Sequence, residues 1–214
     1  MKSAFKRAGL FFIAILVVSI QQLSAQAIKE FFNSSEVPLT YLGIDFTQAK
    51  LYNDAGANVM DIRSRLYAQI NQLIVNEKKK YDISEAFSKS NVTNDISLTL
   101  EKNTKIDAEK ILDSKQPAER LKKADIETLV KGYNFEGKKG IGLLIVMENM
   151  DKAASQATMF YTLIDMNTKK VLFTERLSGE SGGIGFRNSW AKPIANTLTA
   201  IKKSKYKEWK ENAK

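Results

Sequence analysis

The apolar residues of this chain fall into patterns that change along its length, and each pattern predicts an element. The first is an unbroken run from Leu10 to Val18, extended by Ile20. It stands behind a basic start of Lys2, Lys6 and Arg7 and ahead of small residues at Ser24 and Ala25. That three-part order predicts a secretory signal peptide over residues 1–25, with cleavage after Ala25 or Ala27. Positive charge holds the start on the cytoplasmic side, the apolar run enters the translocon, and small side chains fit the peptidase. The run is shorter than the roughly 20 residues that span a bilayer.

Downstream the period shortens to two. Val37 to Leu51 is rich in β-formers and places Leu42, Ile44 and Phe46 at alternate positions, which predicts a first strand with those three on one face. Asn53, Asp54 and Gly56 break it, and Asn58 is placed to cap a helix bearing Val59, Ile62, Leu66, Ile70 and Leu73 at three- and four-residue spacing. Glu77 and the lysines 78–80 close that helix, the lysines suiting the negative end of its dipole. Ile96, Leu98 and Leu100 then alternate as a second strand in polar surroundings. Pro117 sits where a further helix would start, carrying Leu121, Ala124, Leu129 and Val130 up to Gly132.

From Gly140 the pattern changes again. Ile141 to Met147 is continuously apolar, as expected of a strand covered on both faces. Ala157–Asp165 and Val171–Leu177 follow as β-rich runs around a Met166–Lys170 turn, predicting a hairpin. Gly179, Gly182, Gly183 and Gly185 lead into a last helix with Trp190, Ile194, Leu198 and Ile201 on one side. The order is strand, helix, strand, helix, three strands, helix, with no repeat and no linker. It predicts one α+β (mixed α/β) domain over residues 26–214: a single sheet of about five strands with three helices packed on it. A basic tail begins near Lys202.

Composition narrows the chemistry. The chain has no cysteine and no histidine. That removes the usual general base near neutral pH, the common zinc and copper ligands, every thiol mechanism and the Ser-His triad. The missing cysteine also rules out a bacterial lipoprotein anchor, and a domain of this length buries enough apolar surface without disulfides. Export without disulfides points to a bacterial periplasm. The chain carries 33 Lys+Arg against 24 Asp+Glu, and loss of Lys2, Lys6 and Arg7 with the leader leaves a net charge of +6. Such a balance suits anionic surfaces, while export argues against nucleic acid as the partner.

Three places are candidates for a site. Asp45 lies within the first strand, opposite Leu42, Ile44 and Phe46, and would be the first member of a carboxylate pair. The segment Gly179 to Gly185 joins a strand to a helix, where backbone amides can cradle a phosphate, so Gly182, Gly183 and Gly185 are ligand-binding candidates. Its spacing matches neither the P-loop nor the dinucleotide fingerprint, and Glu180 would repel an anion. The tail from Lys202 to Lys214 sets six lysines around Tyr206 and Trp209, a pattern for peripheral membrane contact with the rings at the head groups. Asp165 precedes the hairpin turn and is expected to bond its amides. No metal and no cofactor are expected.

The stretch from Met159 to Asp165, through Thr168 to Phe173, and the glycine-rich Ser178 to Gly185 before a helix resembles the hairpin of envelope assembly proteins of the curli-secretion and penicillin-binding-protein-activator type. The strand Tyr41 to Phe46 near the start of the mature chain resembles exported proteins of Gram-negative bacteria as well. The first resemblance covers about 30 residues by turn and strand pattern, and two features depart from it. The lipoprotein cysteine is absent, and Lys169 and Lys170 stand where a turn glycine is usual. No residue role follows from it. What it implies is a non-catalytic α/β module that binds partners at the envelope. The expected function is therefore an exported periplasmic binding or assembly module acting on another envelope protein. The alternatives are a carboxylate-dependent hydrolase and a carrier of a small ligand.

Overall fold

The computed structural model describes residues 25–114 and 119–213. The leader expected over 1–25 falls outside them apart from its last residue, and so does Pro117. The described chain forms one mixed α/β unit around a single six-stranded sheet, one strand more than the sequence pattern predicts. Helix α1 (25–33) precedes β1 (Leu39–Asp45) and β2 (Lys50–Tyr52). Next, α2 (Val59–Asp61) runs through a π turn (Ile62–Leu66) into α3 (Tyr67–Asn76), with the Asn58 side chain accepting the Asp61 amide as its cap. The middle of the chain supplies α4 (Ile83–Ala86), β3 (Val92–Asn94), α5 (Ser97–Thr104), a 3-10 turn (Ala108–Lys110) and α6 (Lys123–Lys131). The hairpin strands β4 (Ile141–Asp151), β5 (Gln156–Asp165) and β6 (Lys170–Glu180) lead to α7 (Phe186–Ala200), a second π turn (Ile201–Lys205) and α8 (Tyr206–Asn212).

The strands lie in the order β3-β1-β4-β5-β6, and β2 pairs with the far end of β4 beyond β1. Pairing is parallel from β3 to β4 and antiparallel from β4 to β6. β4 is buried along nearly its whole length. Leu143, Ile145 and Met147 face a large core with Ile70 and Ile74 of α3 and Ile194 and Leu198 of α7. Leu144 and Val146 face a smaller core with Ile126 and Val130 of α6, Tyr133 and Phe135. Two covered faces explain why its sequence is continuously apolar rather than alternating. Asp165 accepts the amides of Asn167 and Thr168, closing the β5–β6 turn as its position predicts.

The alternation expected of the first strand fails at one residue. Pairing of β1 with β4 shifts register between Tyr41 and Gly43, and Gly43 has φ +98. A Cβ there would lie 2.7 Å from the Asn71 Oδ1. Across this bulge Leu42 turns into the smaller core, while Ile44 and Phe46 enter the larger one. The three are not on one face, and Asp45 shares the side of Leu42.

β3 pairs only with Leu39 to Tyr41, so the rest of that edge of β1 has no neighbouring strand. Side chains replace it. The Thr99 hydroxyl donates to the Leu42 carbonyl. Asn71 accepts the Ile44 amide at 2.7 Å and donates to its carbonyl at 3.1 Å. Asn103 donates to the Ile44 carbonyl at 2.9 Å and accepts the Phe46 amide at 2.9 Å. Thr99 and Asn103 are one turn apart on α5, which is why this segment is a helix and not the strand that Ile96, Leu98 and Leu100 suggest. Its inward face is polar because it meets bare backbone.

The carboxy-terminal segment is a docked helix rather than a free tail. Trp209 is 3% exposed and lies 4.9 Å from Phe173, and Tyr206 meets Phe32 edge-on at 5.5 Å. Trp209 is buried and Tyr206 half-buried, both rings packing against the core rather than standing free. At the other end of the chain, the Lys89 ammonium is buried against the carbonyls of Phe31 and Ser34 and over the Phe31 ring, and so holds the end of α1. Burial, with Lys210 adding repulsion, lowers its pKa to about 8.

Asn103→Ala would strip the Ile44 carbonyl and Phe46 amide of a buried partner and is expected to lower stability by about 1–3 kcal/mol. Thr104→Ala, on the exposed side of the same helix, should change it by less than about 0.5 kcal/mol. Urea unfolding of both variants measures the difference.

Candidate functional site

The two ends of β1 and β2 meet β4 at a jog. β1 leaves β4 after Asp45, a turn over residues 46–49 intervenes, and β2 rejoins at Lys50 opposite Asn149. β4 has its own irregularity here, between Met147 and Asn149, and Glu148 is the extra residue. Arg120 fills the junction. Its guanidinium donates to the Gln48 carbonyl and, at 2.8 Å, to the Glu148 carbonyl, with Asn149 Oδ1 at 3.5 Å.

Asp45 is fully buried. Its carboxylate accepts the Thr47 amide at 2.7 Å and hydroxyl at 2.5 Å, and the Tyr133 hydroxyl at 2.6 Å. Burial, and then the facing Asp45 carboxylate, hold the Tyr133 phenol well above the ordinary tyrosine value. Asp45 neither faces water nor pairs with a lysine. A second carboxylate lies along the same face. Asp45 stands opposite Val146, and Glu148 is two residues further on. Glu148 is also fully buried and accepts the amides of Arg120 and Leu121, both at 2.8 Å, the Thr158 hydroxyl and the Arg176 guanidinium at 2.6 Å. Burial acts to raise its carboxyl, but the Leu121 and Arg120 amides and Arg176 outweigh it and hold it below the ordinary value of 4.5. Both carboxylates are buried and held by protein donors, three on Asp45 and four on Glu148 among the described residues.

Two amides of the glycine loop are already used by the protein itself. The Ser181 amide donates to the Ser155 carbonyl and the Gly182 amide to the Ser189 carbonyl. Gly182, Gly183 and Gly185 have φ of +151, +112 and +81, conformations that lead the chain sharply into α7. A cleft of about 350 Å³ lies beside the loop, but the cation facing it, Lys152, is paired with Asp54 at 2.7 Å. The structure does not bring Asp45 and these glycines into one site.

What the sequence pattern does not reveal is a cationic cleft on the outer side of the jog. It has a volume of about 390 Å³ and lies between the turn over residues 46–49, the end of α5, the 3-10 turn and Arg120. Five cations line it, Lys50, Lys102, Lys105, Lys110 and Arg120, against Asp107 as the only lining carboxylate among the described residues. Lys105 pairs with Glu101 at 2.5 Å and Lys110 with Asp107 at 3.1 Å. Lys102 lies 4.5 Å from the Tyr133 ring centre, and Lys50 donates to the Lys110 carbonyl. Neither Lys50 nor Lys102 has a carboxylate within 4.0 Å among the described residues. The five cations span some 70 positions of sequence and form no run, so only their dispersal was visible. Among the described residues no group of carboxylates forms a metal centre, and no helix is long and apolar enough to cross a membrane.

No protein-family model matches the chain, and no curated protein matches it.

Because the folded Glu148 carboxyl sits below its unfolded value, its stabilisation is complete above about pH 4.5 and is lost as pH falls through the lower folded value. Glu148→Gln is expected to be less stable than the parent by about 2 kcal/mol at pH 7, the scale of losing hydrogen bonds to a charged group. The difference should shrink as pH drops below 4.5, which denaturant titrations at pH 7, 5 and 3 would show.

Proposed function

We propose that the protein is an exported, non-catalytic binding or assembly module of the bacterial cell envelope, working through contact with another envelope protein. The basic, apolar and small-residue order of the leader supports export. The observation that carries the binding reading is the free edge of the sheet. β6 is an eleven-residue terminal strand, and no strand among the described residues pairs with its outer side. Such an edge presents a row of backbone donors and acceptors on which a partner strand can add. The resemblance of this hairpin to envelope assembly proteins points the same way. Against the hydrolase reading, the carboxylates of Asp45 and Glu148 are both buried and hydrogen-bonded within the protein.

The tagged mature chain, residues 26–214, cross-linked in periplasm, is expected to bring down one envelope protein in stoichiometric amount. With that partner purified, hydrogen exchange should slow along Lys170–Glu180. Recovery of the chain alone, or a partner that leaves β6 exchange unchanged, overturns the reading.

A further inference from the structure

We propose that the cleft lined by Lys50, Lys102, Lys105, Lys110 and Arg120 is a binding site for a compact ligand carrying clustered phosphate groups. Five positive groups drawn from four separate segments converge there, with one lining carboxylate, Asp107, to offset them. Like charges held together repel, and a multiply charged anion relieves all of those repulsions at once. The partial neutralisation already present is weak. Lys105–Glu101 and Lys110–Asp107 are exposed pairs three or four residues apart, of a kind that contributes little and is readily exchanged for a better anion. Among the described residues Lys50 and Lys102 have no carboxylate within 4.0 Å to exchange.

The residue types favour phosphate over a planar carboxylate. Lysine ammoniums act as point charges that meet tetrahedral phosphate from several directions, whereas a planar carboxylate gains most from a bidentate fork, which phosphate can use but does not need. Arg120 commits its Nη2 to the Gln48 and Glu148 carbonyls and its Nε to Asn149, so it adds charge and the Nη1 hydrogens to the cleft but no two-nitrogen fork. The walls are held in place. Thr47 is fixed by Asp45, and Lys102 rests on Tyr133, whose hydroxyl is bonded to the same carboxylate. The buried Asp45 thereby orders both sides of the cleft. Its volume of about 390 Å³ lies within the range of small-ligand sites and admits a few phosphate groups.

The phosphates could belong to a free polyphosphate or to a lipid head group, and titration of the purified mature chain separates the two. Calorimetry with sodium tripolyphosphate at low salt is expected to show saturable binding, weakened at least tenfold by Lys50→Ala with Lys102→Ala, and weaker binding of citrate. Replacing the exposed Lys203 and Lys207 of the last helical segment by Ala should leave the affinity within twofold. Binding to phosphatidylcholine vesicles containing cardiolipin, abolished by the Lys50/Lys102 pair and without tripolyphosphate binding, assigns a phospholipid head group instead. No binding to either, or loss that is equal for the two pairs of substitutions, overturns the proposal. Because the titration uses the chain alone, it fails or succeeds independently of the search for a protein partner.

Discussion

The fold depends on how the open edge of β1 is satisfied. A central strand that outruns its neighbour leaves amides and carbonyls in an apolar interior, each of which costs free energy unless it is paired. Here β3 stops after three residues, and Asn71, Thr99 and Asn103 take over as a neighbour built from side chains. That solution sets the positions of α3 and α5 against the strand. It also requires the glycine at position 43, since any Cβ there would strike the Asn71 amide that closes the bulge.

On the opposite edge of β1 the same problem is solved with charge. Where β1 gives way to β2, β4 bulges at Glu148, and that carboxylate gathers the amides of Arg120 and Leu121 together with Arg176 from β6. A buried carboxylate is tolerated because every lone pair is met by a donor. Its consequence is positional. It ties the segment leading to α6 across the sheet, and it brings the Arg120 guanidinium to the jog, where its charge faces the cleft.

The cleft is thus a by-product of two backbone irregularities. The jog opens a gap beside the turn over residues 46–49, α5 ends at it because Thr99 and Asn103 fix where that helix lies, and the 3-10 turn closes it below. The lysines at those ends need no contact with one another in sequence. Asp45, the residue that looks catalytic in the strand, serves as the anchor that holds Thr47 and Tyr133 and hence the walls.

The sequence alone was enough for the elements whose burial is simple. The two-sided strand β4, the β5–β6 hairpin with Asp165 at its turn, the Asn58-capped helix and the apolar stripe of α7 all follow from local spacing, because each buries one continuous set of apolar side chains. It was not enough for α5, whose buried face is Thr99 and Asn103, nor for Leu42, which a single bulge moves to the other core. Nor did it place Trp209 and Tyr206, which sit amid a run of lysines yet pack against Phe32, Phe87 and Phe173, Trp209 buried and Tyr206 half-buried. Periodicity reports which residues avoid water. It carries nothing about polar groups buried to satisfy a backbone, or about charges brought together from distant segments, and those two were decided only when the chain closed on itself.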